Sequence, residues 1–456
     1  MENFEEDLKK QKDFFYEGNT LDYNFRKNSL INLRNAIKKY EKEIINALNK
    51  DLGKSEFEAY TNEIGILYTE INHTLKHLKK WMKKKSVKME LYLQPSKGEI
   101  HVEPYGNTLI ISPWNYPFQL LIAPLIASIS AGNTSILKPS EISTYTENVL
   151  EKLIQKTFDE RYVKLIKGGV EETTALLRLP FDKIFFTGSV SVGKIVMEAA
   201  SKNLTPVTLE LGGKSPTIVL EDANIELAVN KIIWGKFNNA GQTCVAPDYV
   251  LIHKSREKEF LNLSKTKIIE FYGKVPRENE NYGRITNEKN TKRLYNLIDY
   301  EKVFTGGEVD FEERYIEPTI MSNVDLKDKI MEEEIFGPIL PIISFENISE
   351  VYEIIRKFSK PLALYLFTKD TLKEKEIIKK ISFGGGGVNT TILHVASSNL
   401  PFGGVGTSGM GSYHGEAGFL DFSHKKSVLK QSSFFDLGLT YPNKKISVEF
   451  IKKFIK

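Results

Sequence analysis

Between about residue 100 and residue 390 the chain alternates apolar runs of strand length with segments of helix length. No other feature limits its fold so sharply. Thr108–Ser112, Thr134–Lys138, Val163–Ile166 and Lys183–Phe186 read as strands, and Phe118–Ala131, Ser143–Thr157 and Ser191–Ser201 as the helices among them. Strand and helix in turn predict right-handed βαβ units and a parallel sheet covered on both faces. Ligands of such a sheet sit in the crevice at the carboxyl ends of its strands. A second alternation begins after Glu210, with strands at Pro216–Leu220 and Asp248–His253 around a helix at Ala223–Phe237, and runs to about Asn389. The pattern is that of two α/β domains and a small peripheral element.

The flanking segments read differently. Leu30, Leu33, Ile37, Tyr40, Ile44 and Leu48 recur at helical spacing within residues 29–49, with Ser29 as the expected N-cap. The basic run Lys79–Lys88 closes this region and reads as a solvated face or loop. The last stretch of the chain is rich in loops, with glycine clusters at Gly384–Gly387 and Gly403–Gly411. In the tail Ile446–Lys456, Val448, Phe450, Ile451, Phe454 and Ile455 fall near helical spacing among lysines. A short helix docked on the body or on a second subunit is the favoured reading, and weak contact with an anionic membrane surface the other.

Composition removes several function classes. Lys+Arg total 63 against Asp+Glu 59 over 456 residues, and so small an excess argues against a nucleic-acid binder. One cysteine, Cys244, excludes an intramolecular disulfide and an all-cysteine zinc site, and suits a reducing compartment. The opening MENFEEDLKKQKDFF has no apolar signal region, and the most apolar stretch, Leu120–Ala131, is too short to span a bilayer. A cytoplasmic chain with no integral anchor is expected.

Chemistry concentrates at a few positions. Cys244 lies in Asn238-Asn-Ala-Gly-Gln-Thr-Cys, a polar connection between helix and strand. A lone cysteine is more often an inert buried group, but reactive residues gather on such connections. A free thiol is mostly protonated near neutrality, so a nucleophilic role needs dipoles or a base beside it. Glu210 ends an apolar strand before two glycines. It reads equally as an exposed strand-end carboxylate and as a general base with a raised pKa. Asn115, in Ser112-Pro-Trp-Asn-Tyr-Pro, is held between two prolines as a turn former or as an amide donor for an oxyanion.

The run Gly188-Ser189-Val190-Ser191-Val192-Gly193 follows a strand and opens a helix, a context that fits a phosphate-cradling turn although the full GxGxxG fingerprint is absent. Lys138, at the end of a neighbouring strand, reads as a ribose or phosphate contact or as a surface lysine. A metal site is not expected. His73 and His77 share a helix face but lack the HExxH glutamate, and His394, His414 and His424 show no ligand spacing.

Together these segments resemble the aldehyde dehydrogenase superfamily, and within it the class 3 branch of fatty and aromatic aldehyde dehydrogenases. LELGGKSP (209–216) resembles the family's glutamate motif and FNNAGQTC (237–244) its cysteine motif. SPWNYPF (112–118), LKPSE (137–141), FFTGSVSVGK (185–194), EEEIFGP (332–338) and LPFGGVGTSGMGSYHG (400–415) match in order and spacing. The resemblance implies an α/β fold with a Rossmann-like dinucleotide-binding domain, an α/β catalytic domain and a small β oligomerisation element. It divides the chain into 1–211 for NAD(P), interrupted by a bridging hairpin near 82–104, then 212–395 carrying the cysteine, and 396–456 for substrate-channel loops and docking.

The implied activity is NAD(P)-dependent oxidation of medium- or long-chain aliphatic or aromatic aldehydes to carboxylic acids. Cys244 would attack the aldehyde, Asn115 and the Cys244 N–H would hold the oxyanion, and Glu210 would activate water, with Glu334 as second candidate. Lys138, Glu141 and Gly188–Gly193 would hold NAD, or NADP, with Glu334 and Phe336 at the nicotinamide ribose. Tyr116, Trp234 and Phe402 would line an apolar funnel, and a homodimer is implied. Two other readings are a CoA-acylating enzyme, disfavoured by the glutamate at 210, and a non-catalytic nucleotide-binding homologue, disfavoured by retention of thiol and base. Ser189-Val-Ser after Gly188 and the glycine-rich 384–387 depart from the usual pattern.

Overall fold

The computed structural model describes residues 4–435, 441–442 and 447–453. The first alternation forms a sheet of five parallel strands, Asn107–Ile111, Thr134–Lys138, Val163–Leu165, Lys183–Thr187 and Val207–Glu210. Side by side they run third, second, first, fourth, fifth, and the short strand Gly409–Met410 adds antiparallel beyond the fifth. Strand order reverses between Asn107–Ile111 and Lys183–Thr187. Their connections depart in opposite directions there, and a crevice opens at their carboxyl ends. The residues that follow are Ser112–Asn115 on one side and Gly188–Ser191 on the other, so topology alone brings these two segments together.

The second alternation forms a seven-stranded sheet. Its spatial order is Val303–Thr305, Thr319–Met321, Ile339–Phe345, Tyr249–His253, Pro216–Val219, Ala363–Phe367 and Gly385–Val388. Only the first of these is antiparallel to its neighbour. The central strands are fully buried, as expected where helices cover both faces. The first sheet ends at Glu210 and the second starts at Pro216, so Leu211–Ser215 crosses from one sheet to the other. A third sheet joins Lys85–Val87, Ser96–Pro104 and Ser423–Gln431 in antiparallel register. Lys84 and Lys430 pair with Glu99, and Lys426 with Glu103, so its surface is edged with charge.

The N-terminal helical layer is longer than its pattern predicts. Helix Tyr23–Leu52 starts six residues before Ser29, capped by Asp22, whose carboxylate accepts from Phe25 N at 2.9 Å. Ser29 is interior, and its hydroxyl donates back to the Phe25 carbonyl. The apolar stripe Leu30, Leu33, Ile37, Ile44 and Leu48 is fully buried, at about 1.5–3 kcal/mol for each large side chain. The helix packs on Thr144–Thr157 and Gly65–Trp81.

Gly384–Gly387 is no loop: Gly385–Val388 is the edge strand of the second sheet. A Cβ at Gly384 would lie 2.4 Å from the Gly403 carbonyl oxygen, and one at Gly386 2.0 Å from that of Leu364. Glycine lets these backbones touch, which accounts for the extra glycines. In the tail a helix covers Val448–Ile451, while Ile446, Phe454 and Ile455 lie outside the described residues. Among the described residues no helix is long and apolar enough to cross a membrane.

Candidate active site

Strand Asn107–Ile111 runs into a turn whose prolines present Asn115 at the crevice. The Asn115 side chain is buried, and its Nδ2 donates to the Gln242 carbonyl at 3.0 Å. An amide carries two N–H bonds, so one remains for a ligand. Tyr116 next to it bonds through its hydroxyl to Thr243 Oγ1 at 2.6 Å.

The cysteine connection is held in an uncommon backbone conformation. Asn239, Ala240 and Gly241 all have positive φ, at 52°, 50° and 74°. Non-glycine residues adopt that region at a cost, so two in a row persist only where their surroundings fix them. Gln242 supplies much of the fixing. Its Nε2 donates to the carbonyls of Asn239 and Arg284, and its Oε1 accepts from Thr286 N. A Cβ on Gly241 would come within 2.2 Å of the Gly337 carbonyl oxygen, so glycine there admits the Glu334–Pro338 segment. Tyr365 closes the far side, donating to the Val245 carbonyl at 2.6 Å.

The thiol of Cys244 is half-buried. Burial first, then the nearby Glu334 and Glu210 carboxylates, push its pKa up to about 12, opposed by the backbone N–H groups of Cys244 and Val245. At rest it is therefore a protonated thiol that needs a proton acceptor before it can act.

Two carboxylates border the thiol, in different settings. Glu210 ends the fifth strand of the first sheet, is 2% exposed, and neither of its carboxylate oxygens has a hydrogen-bond partner. Burial, with a contribution from Asp421, holds its pKa well above the ordinary range. Glu334 arrives on a segment stapled from behind by a buried ion pair. Lys214 Nζ bonds Asp248 at 2.6 Å and the carbonyls of Ile330 and Glu333, while Asp248 accepts from Ile335 N. Burial raises the Glu334 pKa to about 8, Asp248 adds to this, and the Gly213 N–H and Lys214 oppose it. Phe336, at φ 49°, meets the Trp114 ring edge to face at 5.4 Å.

Cys244 faces two spaces. One is a cleft of about 730 Å³ bordered by Trp114, Asn115, Gly188–Ser191, Glu210, Glu334 and Phe336. The other is an apolar cavity of about 90 Å³ whose walls include Tyr116, Leu120, Thr243, Phe402 and Tyr413. Of the residues singled out in the sequence, Asn115, Glu210, Cys244, Glu334, Phe336 and Gly188–Ser191 meet at the cleft, and Tyr116 and Phe402 at the cavity.

Others fall elsewhere. Trp234 lines neither space and, half-buried, packs against the core instead. Val192 is 40% exposed, and Gly193 packs against Leu211. Lys138 is buried with Nζ donating to the Pro139 carbonyl at 2.6 Å, and Glu141 is exposed. Neither borders the cleft. His73 and His77 are half-buried, with their rings tilted 4.4 Å apart and His77 stacked on Trp81. Among the described residues no group of three or more His, Cys, Asp or Glu could hold a metal ion.

Sequence reasoning missed Lys214, Trp114, Arg293, Thr243 and His414. Lys214 and Trp114 stood inside quoted motifs and were legible there. Thr243 and His414 also stood inside quoted motifs, while Arg293 reaches the site only through tertiary packing.

A parallel sheet with its switch-point crevice facing a thiol and two buried carboxylates defines a class, the α/β oxidoreductases that pair a dinucleotide fold with a second α/β domain. The chain belongs to the aldehyde dehydrogenase family, whose sequence model matches residues 2–428. Members of this family oxidise aldehydes to carboxylic acids with NAD or NADP. The chain is 49% identical to the 4,4'-diaponeurosporen-aldehyde dehydrogenase of Staphylococcus aureus, over 98% of this chain and 97% of that one. It is 44% identical to aldehyde dehydrogenase family 3 member A2 of Macaca fascicularis, over 94% and 88%. A substrate-bound structure of S. aureus AldH superposes with a TM-score of 0.98 at 48% identity, covering 100% of both chains.

Proposed function

We propose that this chain oxidises apolar aldehydes through a covalent adduct on Cys244. One observation carries the reading: the thiol borders both a dinucleotide-sized cleft and an apolar cavity, with two raised-pKa carboxylates beside it. A neighbouring carboxylate, Glu334 or Glu210, takes the thiol proton as the sulfur bonds to the aldehyde carbon and the carbonyl electron pair moves onto oxygen. That oxyanion is received by the second N–H of Asn115 and by the Cys244 N–H. Loss of hydride from the same carbon leaves a thioester on Cys244. A carboxylate then takes a proton from water, the water oxygen bonds to the acyl carbon, and the C–S bond breaks to release the acid and the thiol.

Glu210 is the base we favour, because both of its oxygens are unpartnered. Glu334, already held by Gly213 N–H, stands second.

The cleft fits NAD(P) in size, within the ~300–1,000 Å³ of ligand sites. It also offers the N-terminus of helix Val190–Ser201, which Ser189 caps. NAD(P)+ supplies a hydride acceptor when bound. Gly188–Ser191 would line its phosphates, Glu334 and Phe336 the nicotinamide side, and Lys138 and Glu141 the adenosine ribose. Val192 and Gly193 support that turn from behind. Tyr116 and Phe402 favour medium- or long-chain and aromatic substrates, and the aldehyde named for the S. aureus relative belongs among those tested. We further propose a homodimer joined through the three-stranded sheet, with the described tail helix as a docking element. Residues 1–211 serve as cofactor domain, 212–395 as catalytic domain and 396–456 as channel and docking segment.

A product assay separates hydrolysis from acyl transfer to CoA. With NAD+, a long-chain aldehyde and CoA present together, free acid is expected at an unchanged rate. Acyl-CoA as the main product would assign the chain to the acylating enzymes. No nicotinamide reduction with NAD+ or NADP+ across an aldehyde panel would assign it to non-catalytic homologues.

A further inference from the structure

Behind the site lies a buried charged cluster that the chemistry above leaves unused. Lys54, Glu58 and Glu63 come from one short stretch: the loop after helix Tyr23–Leu52, the short helix Glu56–Ala59 and the turn Tyr60–Ile64, which is wound as a π-helix. Lys54 and Glu63 are 0% exposed and Glu58 is 6% exposed. Burying a lysine and two carboxylates is expensive, and π-helical turns gather at functional sites.

Their partners are the two segments that carry Asn115 and Cys244. Lys54 Nζ donates to Glu63 and, at 2.9 Å, to the backbone carbonyl of Asn115. That same carbonyl accepts from Asn239 Nδ2 at 2.9 Å, tying it to the cysteine connection. The ammonium also sits 4.1 Å from the centre of the Tyr116 ring, whose hydroxyl bonds Thr243, the residue before Cys244. Glu63 accepts from Phe118 N and Gln119 N, fixing the start of helix Gln119–Ala131. Glu58 accepts from Asn239 N, holding the first of the left-handed residues.

We infer that Lys54 is a positioning residue for aldehyde activation. Through Glu63 and the Asn115 carbonyl it sets the direction of the Asn115 amide relative to the Cys244 sulfur. A single cation thus joins both halves of the oxyanion site, and its loss leaves the thiol in place but the amide misdirected. This inference rests on the proposed roles of Cys244 and Asn115.

The test is the double variant Lys54→Met with Glu63→Gln, which removes both charges of the ion pair and leaves Glu58 its bond from Asn239 N. Glu63→Gln alone is the companion if the double variant does not fold. Two rates are read at Cys244: the pre-steady-state burst of NADH with aldehyde, and alkylation by iodoacetamide, which forms no oxyanion. Misplacing a catalytic group by about 1 Å costs roughly 100-fold. The burst is therefore expected to slow by about 30- to 100-fold in the double variant and by a smaller factor in Glu63→Gln. Alkylation and aldehyde KM are expected to stay within about twofold. Equal losses in burst and alkylation would reduce Lys54 to a general structural role, and an unchanged burst would remove it altogether. Asn115→Ala keeps the two levels distinct: if it also leaves the burst unchanged, the oxyanion reading fails, and with it the inference.

Discussion

Cys244→Ala is expected to abolish aldehyde-dependent NADH formation, by a factor on the order of 10^5 or more, as loss of an attacking nucleophile does elsewhere. The substitution removes one polarisable atom from a half-buried position, and nothing else in the chain can replace it, since this is the sole cysteine. Cofactor affinity, measured by quenching of Trp114 or by calorimetry, is expected to change by less than about threefold. The cleft walls Gly188–Ser191, Glu334 and Phe336 belong to other segments. The connection itself should survive, because Gln242, Asn239 and Tyr365 hold it through backbone groups rather than through sulfur. Retained turnover in a variant that still binds NAD+ would take the thiol out of the chemistry.

Glu210→Gln is expected to split the reaction in time. The first turnover should still release NADH, because Glu334 remains beside the sulfur to take the thiol proton and hydride loss needs no base. Hydrolysis should slow by about 10^2- to 10^4-fold, the usual contribution of a general base, giving a stoichiometric burst and a slow steady state. The pH dependence follows from the raised carboxyl pKa. Only the ionised form accepts a proton, so wild-type deacylation should rise with pH through a midpoint above the ordinary carboxylate range. A limb centred near pH 8 that persists in Glu210→Gln would belong to Glu334, whose pKa is about 8.

Stability carries the same signature with opposite sign. A buried carboxyl with a raised pKa keeps its proton in the folded state after the unfolded chain has released it. Stability is thus greatest below the unfolded value and falls as pH climbs toward the folded one. Glu210→Gln removes that loss, so its thermal midpoint should exceed that of the wild type by more at pH 8 than at pH 5.5. A pH-independent difference would mean that the carboxyl is not the group titrating.

Much of this architecture was legible because it is periodic. The strands Thr134–Lys138 and Lys183–Thr187 announce themselves as apolar runs bounded by polar turns, and the structure places them within a residue of their predicted ends. Ser29 misled because a serine before an apolar stripe looks like a cap, while the true cap, Asp22, precedes a turn of mixed polarity that tertiary packing makes helical. The glycines at 384–387 looked like a loop because glycine weakens a strand. Only the approach of the Gly403 and Leu364 carbonyls explains a strand without side chains.

The candidate site was readable wherever its residues share a motif, as for Asn115, Glu210 and Cys244. It was opaque where distant segments meet. Trp234 sits one helical turn from the cysteine connection, and its face is decided by packing that no local pattern encodes. Lys54 and Glu63 offered no signal at all, because a lysine and a glutamate nine residues apart among other charged residues read as solvated charge.

The most direct test uses the single sulfur as its own label. Glu210→Gln is mixed with NAD+ and a long-chain aldehyde, quenched in acid within the first turnover, and digested for mass spectrometry. The peptide bearing Cys244 is expected to gain the mass of the acyl group, in amount equal to the NADH released, and to lose it on treatment with hydroxylamine. NADH released with that peptide unmodified would show that the carbonyl is oxidised without ever bonding to the thiol.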